Sequence, residues 1–394
     1  MQAWPRNRWQ AIAWANISIP PRFQRRGVGW GRRGEGQERR WEGGTTSAGK
    51  YRMLFSEYRG DWEWQAEAFK WRHYRHNFLC HRCWASKVLP NFSFCNWSEG
   101  ALWRATEMPE EFFWDHATQP QSVLTQAPGW SRDRCRTDTM HCSNLGLAWL
   151  LHGNVLISLC EMHVDKFVPE PRLTPLSPDA TLDAQLHDLQ CRFRFWLSDR
   201  QITCSCRRFT RKALHRQTNA DSPVFNSKAA QSPVIAAWLA DLTCDFAARC
   251  PPDLKERADL MAACVWGKAE YYHLLRVGKR FFSDAEAESL RVAGETFLYC
   301  WSELRRISIS RGCCLWVMVP KFHQWHHLLI DCTTNEKANP RFYHCFSDED
   351  MVGKMIVAAH AVHPSTAVRS TLEKYAMGLI ERLVNIRRLQ SAGD

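Results

Sequence analysis

Apolar and polar positions alternate along this chain with a helical period more often than with a strand period. The segment 182–198 is the clearest example. Leu182, Leu186, Leu189, Phe193 and Trp196 form one stripe, and Thr181 stands where an N-cap belongs. A second periodic segment runs from Asp253 to Arg280 after Pro251-Pro252, with Leu254, Leu260, Cys264, Tyr271 and Leu274 on or near one face. Ser283 followed by Glu286 reads as a capping box that opens a helix to Arg306, with Leu290, Ala293, Phe297 and Trp301 inside. Leu145–Glu161 is apolar enough for a buried helix. A last helix is predicted from Ser365, as N-cap, through Leu389.

Other stretches are less decided. Residues 62–69 alternate as a strand would, yet Trp62, Ala66 and Phe69 also fall at helical spacing, so both remain open. Residues 85–135 mix Pro, Trp and short apolar runs and predict irregular chain with short helices. Leu315–Val319 reads as a buried strand or a helix start before Pro320. The four prolines at 169, 171, 175 and 178 mark a linker. The expected organisation is a tail over 1–50, a first core part over 51–168, a linker and insertion over 169–250, and a helical region over 251–394.

Composition changes this picture in two places. The chain has 394 residues and a formal net charge of +11. Nine Arg, one Lys and three Glu fall in residues 1–50, so +7 of that total belongs to the tail and +4 to the rest. The tail is rich in Arg, Gly and Trp, lacks a sustained period, and cannot build a core. It reads as a poorly ordered segment, an arginine-glycine nucleic-acid contact or a nuclear address. The basic total is therefore not evidence for a DNA-binding surface on the folded part. No apolar leader precedes Pro20, and no window offers 18 uninterrupted apolar residues, so an intracellular chain with no membrane span is expected. Its 17 cysteines are then expected to be reduced and mostly buried.

Two sets of residues carry chemistry. Cys80 and Cys83 form a C-x-x-C knuckle, and His323 and His327 lie at i, i+4 spacing, which puts both imidazoles on one helix face. Two thiolates and two imidazoles complete a tetrahedral site for structural zinc. Gln324 stands where a metalloprotease helix would carry its Glu. The second set is acidic: Asp61, Asp138, and the triplet Asp348-Glu349-Asp350. Three carboxylates distant in sequence are what a two-metal phosphoryl-transfer site uses, although almost any chain offers three. The alternatives are a helix N-cap at Asp138 and a solvated loop at 348–350.

The order of these landmarks resembles that of transposases of the CACTA and Kyakuja-Dileera-Zisupton groups, and of protist protein families built on the same plan. Gly60-Asp61 leads to Cys80-x-x-Cys83. Asp138-Thr139-Met140-His141, then Leu145-Gly146, is similar to the family's D-x-M-H-N-x-x-L-G. Pro320-Lys321-Phe322-His323, then His327, is similar to P-K-x-H-x-x-x-H. Phe346 through Glu349 to Gly353 is similar to F-E-x-x-x-G. The resemblance implies a mixed α/β, mostly helical protein with a partial RNase H-like core and a helical C-terminal region. It implies Mg²⁺ or Mn²⁺ on Asp61, Asp138 and Glu349, DNA as partner, and a nuclear location. The sequence also departs from the family. The strand that carries an earlier catalytic Asp is replaced by the tail, and Cys142 stands for the Asn of M-H-N. A truncated remnant of a DNA-cleaving and strand-transferring enzyme is the expectation. Its alternatives are a zinc-stapled nucleic-acid-binding module and a helical protein-interaction module, both without catalysis.

Overall fold

The computed structural model describes residues 57–72, 74–108, 122–126, 130–360 and single positions between 366 and 388. The tail over 1–50 and the predicted cap at Ser365 lie outside the described residues.

The fold is mostly helical with one small parallel sheet. Strand β1 (Tyr58–Gly60) leads directly into helix α1 (Trp62–Phe69), which settles the ambiguity at 62–69 in favour of a helix. Its buried face is Trp62, Gln65, Ala66 and Phe69. Short 3₁₀ turns at 90–92, 102–105, 123–126 and 132–134 punctuate the irregular stretch that follows. Strand β2 (Cys135–Thr137) then pairs parallel to β1, with Gly60 opposite Thr137. The residues that follow the two strands, Asp61 and Asp138, leave the same C-terminal end of this pair.

Beyond β2 the chain is helical. A π-helical stretch, Met140–Leu147, runs into α2 (Ala148–Glu161). Together they are long and apolar enough to cross a membrane, but 83% of the window is buried inside the fold, as befits a core helix. After α3 (Val164–Phe167) and the proline-marked loop come α4 (Leu182–Asp199), α5 (Ser232–Arg249), α6 (Pro252–Val277) and α7 (Asp284–Ser310). Helix α8 (Lys321–Ile330), a second π-helical stretch (Asp331–Asn335) and helix α9 (Phe346–His360) follow, with short 3₁₀ turns at 229–231 and 340–342.

The caps predicted at Thr181 and Ser283 are formed. Thr181 accepts from the Ala184 N–H at 3.3 Å, and Ser283 and Glu286 cap each other reciprocally. Helices α6 and α7 form an antiparallel hairpin at very close range. A Cβ on Gly267 would lie 2.5 Å from the Ala293 carbonyl oxygen and 2.9 Å from the Phe297 nitrogen, so glycine is required there. One hydrophobic core joins α2 and α4–α8, including Leu156, Phe193, Trp238, Met261, Trp301 and Trp325. The α4 and α5 segments thus pack into the same core as the C-terminal helices. Smaller clusters lie around Trp103 with Cys80 and Cys83, and around Phe69 with Trp71.

Leu315–Val319 is neither strand nor helix. Trp316 sits in the left-handed region at φ 57°. Its N–H donates to Asn154 Oδ1 at 2.6 Å and its carbonyl accepts from Trp301 Nε1 at 3.0 Å. Side chains from α2 and α7 satisfy this backbone, so no regular ladder is needed.

Candidate metal centre and acidic site

The knuckle Cys80–Cys83 lies in the irregular chain after α1 and is pinned from both sides. The Arg82 N–H donates to Cys80 Sγ at 3.2 Å, which turns the loop around the sulfur. The Arg82 guanidinium reaches outward to Asp331, at 2.7 and 2.9 Å, just past the end of α8. Burial would raise the Asp331 pKa, but this bidentate pair holds it below the usual carboxylate range. His81 turns away and stacks on Trp71 at 4.3 Å. Burial lowers its pKa to about 3, so it is a neutral packing residue.

Helix α8 supplies the other half. His323 and His327 lie one turn apart, as i, i+4 spacing requires. His323 Nε2 is 3.3 Å from Cys83 Sγ. His327 Nε2 is 3.4 Å from both Cys80 Sγ and Cys83 Sγ. The ligand atoms of all four residues lie within 4.8 Å of one another, and the four groups are buried. In a tetrahedron with metal–sulfur bonds of about 2.3 Å and metal–nitrogen bonds of about 2.05 Å, the sulfur–nitrogen edge is about 3.5 Å. The observed edges match it. The group can therefore hold a metal ion.

Protonation suits the same end. Burial lowers the His327 pKa to about 4, which leaves its ring neutral. Burial would raise Cys80, but the hydrogen bond from Cys83 and the nearby His327 and His323 draw it well below its ordinary value. Burial and the neighbouring Cys80 push Cys83 up, so without an ion this thiol keeps a proton that metal binding would release. A thiolate and neutral imidazoles are the forms that bind metal. Trp103 closes one wall, edge-on to His323, His326 and His327. His326 takes no part, because its Nε2 accepts from Arg104 at 2.7 Å. A cleft of about 480 Å³, lined in part by Cys83, His327, Arg82 and Arg104, leads to the group and offers an ion a way in.

The acidic residues gather at the edge of the strand pair. Asp61 caps α1, with Oδ1 accepting from the Trp64 N–H at 2.6 Å. The Trp64 ring packs over Gly60, and a Cβ there, 2.3 Å from it, would force the exposed indole to move. Asp138 accepts four hydrogen bonds. Met140 N–H and Cys345 N–H donate to Oδ1 at 3.1 and 2.9 Å, and His141 N–H and Nδ1 donate to Oδ2 at 2.9 and 2.6 Å. Burial would raise its pKa, but these donors hold it below the usual value. Asp138 thus starts the π-helical stretch, which is why that helix begins at Met140 and not at Leu145. His141 Nε2 lies 3.3 Å from Glu349 Oε1. Burial would lower the His141 pKa, but Asp138, Asp61 and Glu349 together raise it.

The triplet 348–350 is no loop; it occupies the first turn of α9, where acidic side chains suit the helix dipole. Asp348 is taken by a bidentate pair with Arg59, at 2.9 and 2.8 Å. Glu349 faces His141. Cys345 lies within 4.8 Å of Asp138 and His141 and forms a second group with metal-binding potential. Burial raises the Cys345 thiol pKa, so it stays neutral. His141 is the residue that the search for carboxylates passes over, although its i, i+3 spacing from Asp138 is visible in the sequence.

Lys321 bridges the two sites. It opens α8, and its Nζ donates to the His141 carbonyl at 3.3 Å. Compared with family models, curated proteins and solved structures, the chain matches none.

Proposed function

We propose that this chain is a transposase-derived, zinc-stapled nucleic-acid-binding protein, the remnant of an enzyme that cut and joined DNA. One observation carries the zinc part: two cysteines and two histidines from segments some 240 residues apart present their ligand atoms to one another in a buried group. Two sulfurs and two nitrogens at tetrahedral spacing suit zinc and leave no open position for substrate, so the ion would be structural. The DNA part rests on the ordered landmarks from Asp61 to Gly353. In this reading β1 and β2 are what is left of an RNase H-like core, and the protein works in the nucleus.

A second reading, retained DNA cleavage, is favoured by the placement of Asp61, Asp138 and Glu349 around His141. Mg²⁺ or Mn²⁺ would supply charge stabilisation at the attacking and leaving oxygens of a phosphodiester. Asp61 and Glu349 have oxygens free to hold such an ion, whereas Asp138 spends its lone pairs on four internal donors.

Fluorescence anisotropy with duplex DNA, at rising salt, tests the first reading. Binding that weakens steadily with salt, with one zinc per chain, is expected. No binding at 50 mM salt by the zinc-loaded chain would contradict it and leave the helical interaction module. Incubating the same sample with Mn²⁺ and supercoiled plasmid separates the second reading: nicked product supports it, and intact plasmid removes it.

A further inference from the structure

We propose that the outward face formed by α4 and the strap 200–216, carrying Arg194, Arg207, Arg208 and Lys212, docks on the phosphate backbone of duplex DNA without reading its bases. This rests on the nucleic-acid-binding reading and deepens it by naming the surface. The segment lies between the landmarks at 138–146 and 320–327 and belongs to neither.

The 25 residues from Arg192 to Arg216 include eight Lys and Arg and one acidic residue, Asp199, a net of +7. Residues 51–394 together carry only +4, so the rest of that region is net −3. A mildly basic total thus conceals one concentrated basic segment. Four of the eight cations are engaged within the fold. Arg192 holds Asp188 and Arg200 holds Asp241. Arg211 turns its guanidinium to the carbonyls of Arg216 and Gln217, and the buried Arg216 donates to those of Asn219 and Asp221. The other four, Arg194, Arg207, Arg208 and Lys212, are exposed, and none forms an ion pair among the described residues.

The strap is held in place along α4. Gln201 and His215, at φ 54° and 51°, turn the chain at its two ends. The Ile202 N–H donates to the Leu197 carbonyl at 2.9 Å, the Phe209 N–H to Gln190 Oε1 at 2.9 Å, and the Arg211 N–H to Asp183 Oδ1 at 3.5 Å. That order sets the strap antiparallel to the helix. Phe209 is buried against Phe193, Phe225 and Trp238, with ring centroids 5.9, 5.1 and 5.8 Å away. Arg207 and Arg208 directly precede this anchor, and Arg194 lies one helical turn beyond Gln190, so strap and helix charges share one stretch of surface. A pinned backbone loses little freedom when it binds.

The chemistry of the face selects the partner. Guanidinium groups match phosphate oxygens in two-pronged fashion, and the exposed hydroxyls of Thr203 and Thr210 can add neutral phosphate contacts. From Arg194 to Arg216 every exposed side chain is polar or charged, so nothing would insert into a lipid surface. The segment's half-buried aromatics, Phe195 and Trp196, are covered by Arg172 and Arg200 at 4.2 and 4.6 Å. No exposed ring is left on which the bases of a single strand could stack. A duplex backbone is the polyanion that fits.

Fluorescence anisotropy of the full-length, zinc-loaded chain on two unrelated DNA duplexes, repeated across a salt series, tests the assignment. The triple variant Arg207→Ser, Arg208→Ser, Lys212→Ser changes only exposed side chains. Its affinity at about 100 mM salt should fall by about tenfold or more, equally on both duplexes. The slope of log K against log salt should shrink by about 1 for each residue removed. A control triple variant, Lys255→Ser, Arg306→Ser, Arg369→Ser, removes the same charge from exposed, ion-paired positions. It should change affinity by less than about twofold. Wild-type affinity in the first variant, or equal losses in both, would overturn this surface and leave the nucleic-acid reading standing on the tail or another face. Wild type that binds no DNA would overturn both, and binding to phosphatidylserine vesicles instead would assign the basic face to a membrane.

Discussion

Nε2 of His323 lies 3.3 Å from Sγ of Cys83, although 240 residues separate them. A metal held there joins the irregular chain after α1 to the helical core through α8. Arg82 and Asp331 tie the same two segments by a partly buried ion pair. Two independent contacts thus fasten the small sheet region to the rest of the molecule.

Chelation follows from this arrangement. Removing the ion leaves four polar groups facing one another in a buried site, and the ion's binding free energy is lost from folding. A strong zinc chelator should lower the melting temperature of wild type by several degrees. It should leave Cys80→Ser, which already lacks a ligand, almost unchanged. Equal shifts in both proteins would show that the chelator acts elsewhere.

The α6–α7 hairpin depends on Gly267. Gly267→Ala places a methyl within 2.5 Å of the Ala293 carbonyl oxygen, a backbone atom that cannot swing away. The helices must separate, at a cost of about 1–3 kcal/mol, typical of overpacking. Urea denaturation measures it. A stability equal to or above wild type would mean that the helices are not in such close contact.

At the start of α7, Ser283 accepts from the Glu286 N–H at 3.3 Å, and the Glu286 carboxylate returns to the Ser283 N–H at 2.8 Å. Ser283→Ala should destabilise the protein by about 1 kcal/mol, and Ser283→Asp should restore most of it. No loss in Ser283→Ala, measured by thermal melts, would contradict the cap.

The capping box at Ser283, the cap at Thr181, the amphipathic stripes and the Cys/His set were legible in the sequence because each depends on local spacing or ligand chemistry. Other features depend on tertiary context. Ser232–Arg249 buries Ala236, Ala237, Ala240 and Thr243 as well as the face that carries Val234, Ile235, Trp238, Leu239 and Phe246, so burial extends around most of its circumference and no polar face sets the stripe off. Leu315–Val319 reads as regular structure, but Asn154 and Trp301 claim the backbone of Trp316. Asp138 reads as a catalytic acid or a cap; only its partner Cys345, 207 residues away, shows how fully its carboxylate is engaged.

Lys268 is a fully buried lysine that pairs with no carboxylate among the described residues. Its Nζ donates to Ser143 Oγ at 2.6 Å and sits 4.4 Å from the Trp325 ring and 5.0 Å from the Tyr271 ring. Burial lowers its pKa to about 7, only partly offset by Cys142 and Cys264. The unfolded chain, with its lysine near the ordinary value of about 10.4, then binds more protons than the folded one between pH 7 and pH 10. This group's penalty on stability is therefore fully present near pH 7 and fades as pH rises toward 10. Lys268→Met should be more stable than wild type by a few kcal/mol at pH 7, and the difference should close by about pH 10. A gap independent of pH, or a less stable variant at pH 7, would contradict the buried, neutralised lysine.

The central claim is that Cys80, Cys83, His323 and His327 hold zinc. Elemental analysis by inductively coupled plasma mass spectrometry, on the full-length chain purified without added metal, tests it most directly. One zinc per chain is predicted in wild type, falling to near zero in Cys83→Ser and in His323→Ala. Zinc near zero in wild type, or zinc retained by both variants, would contradict it.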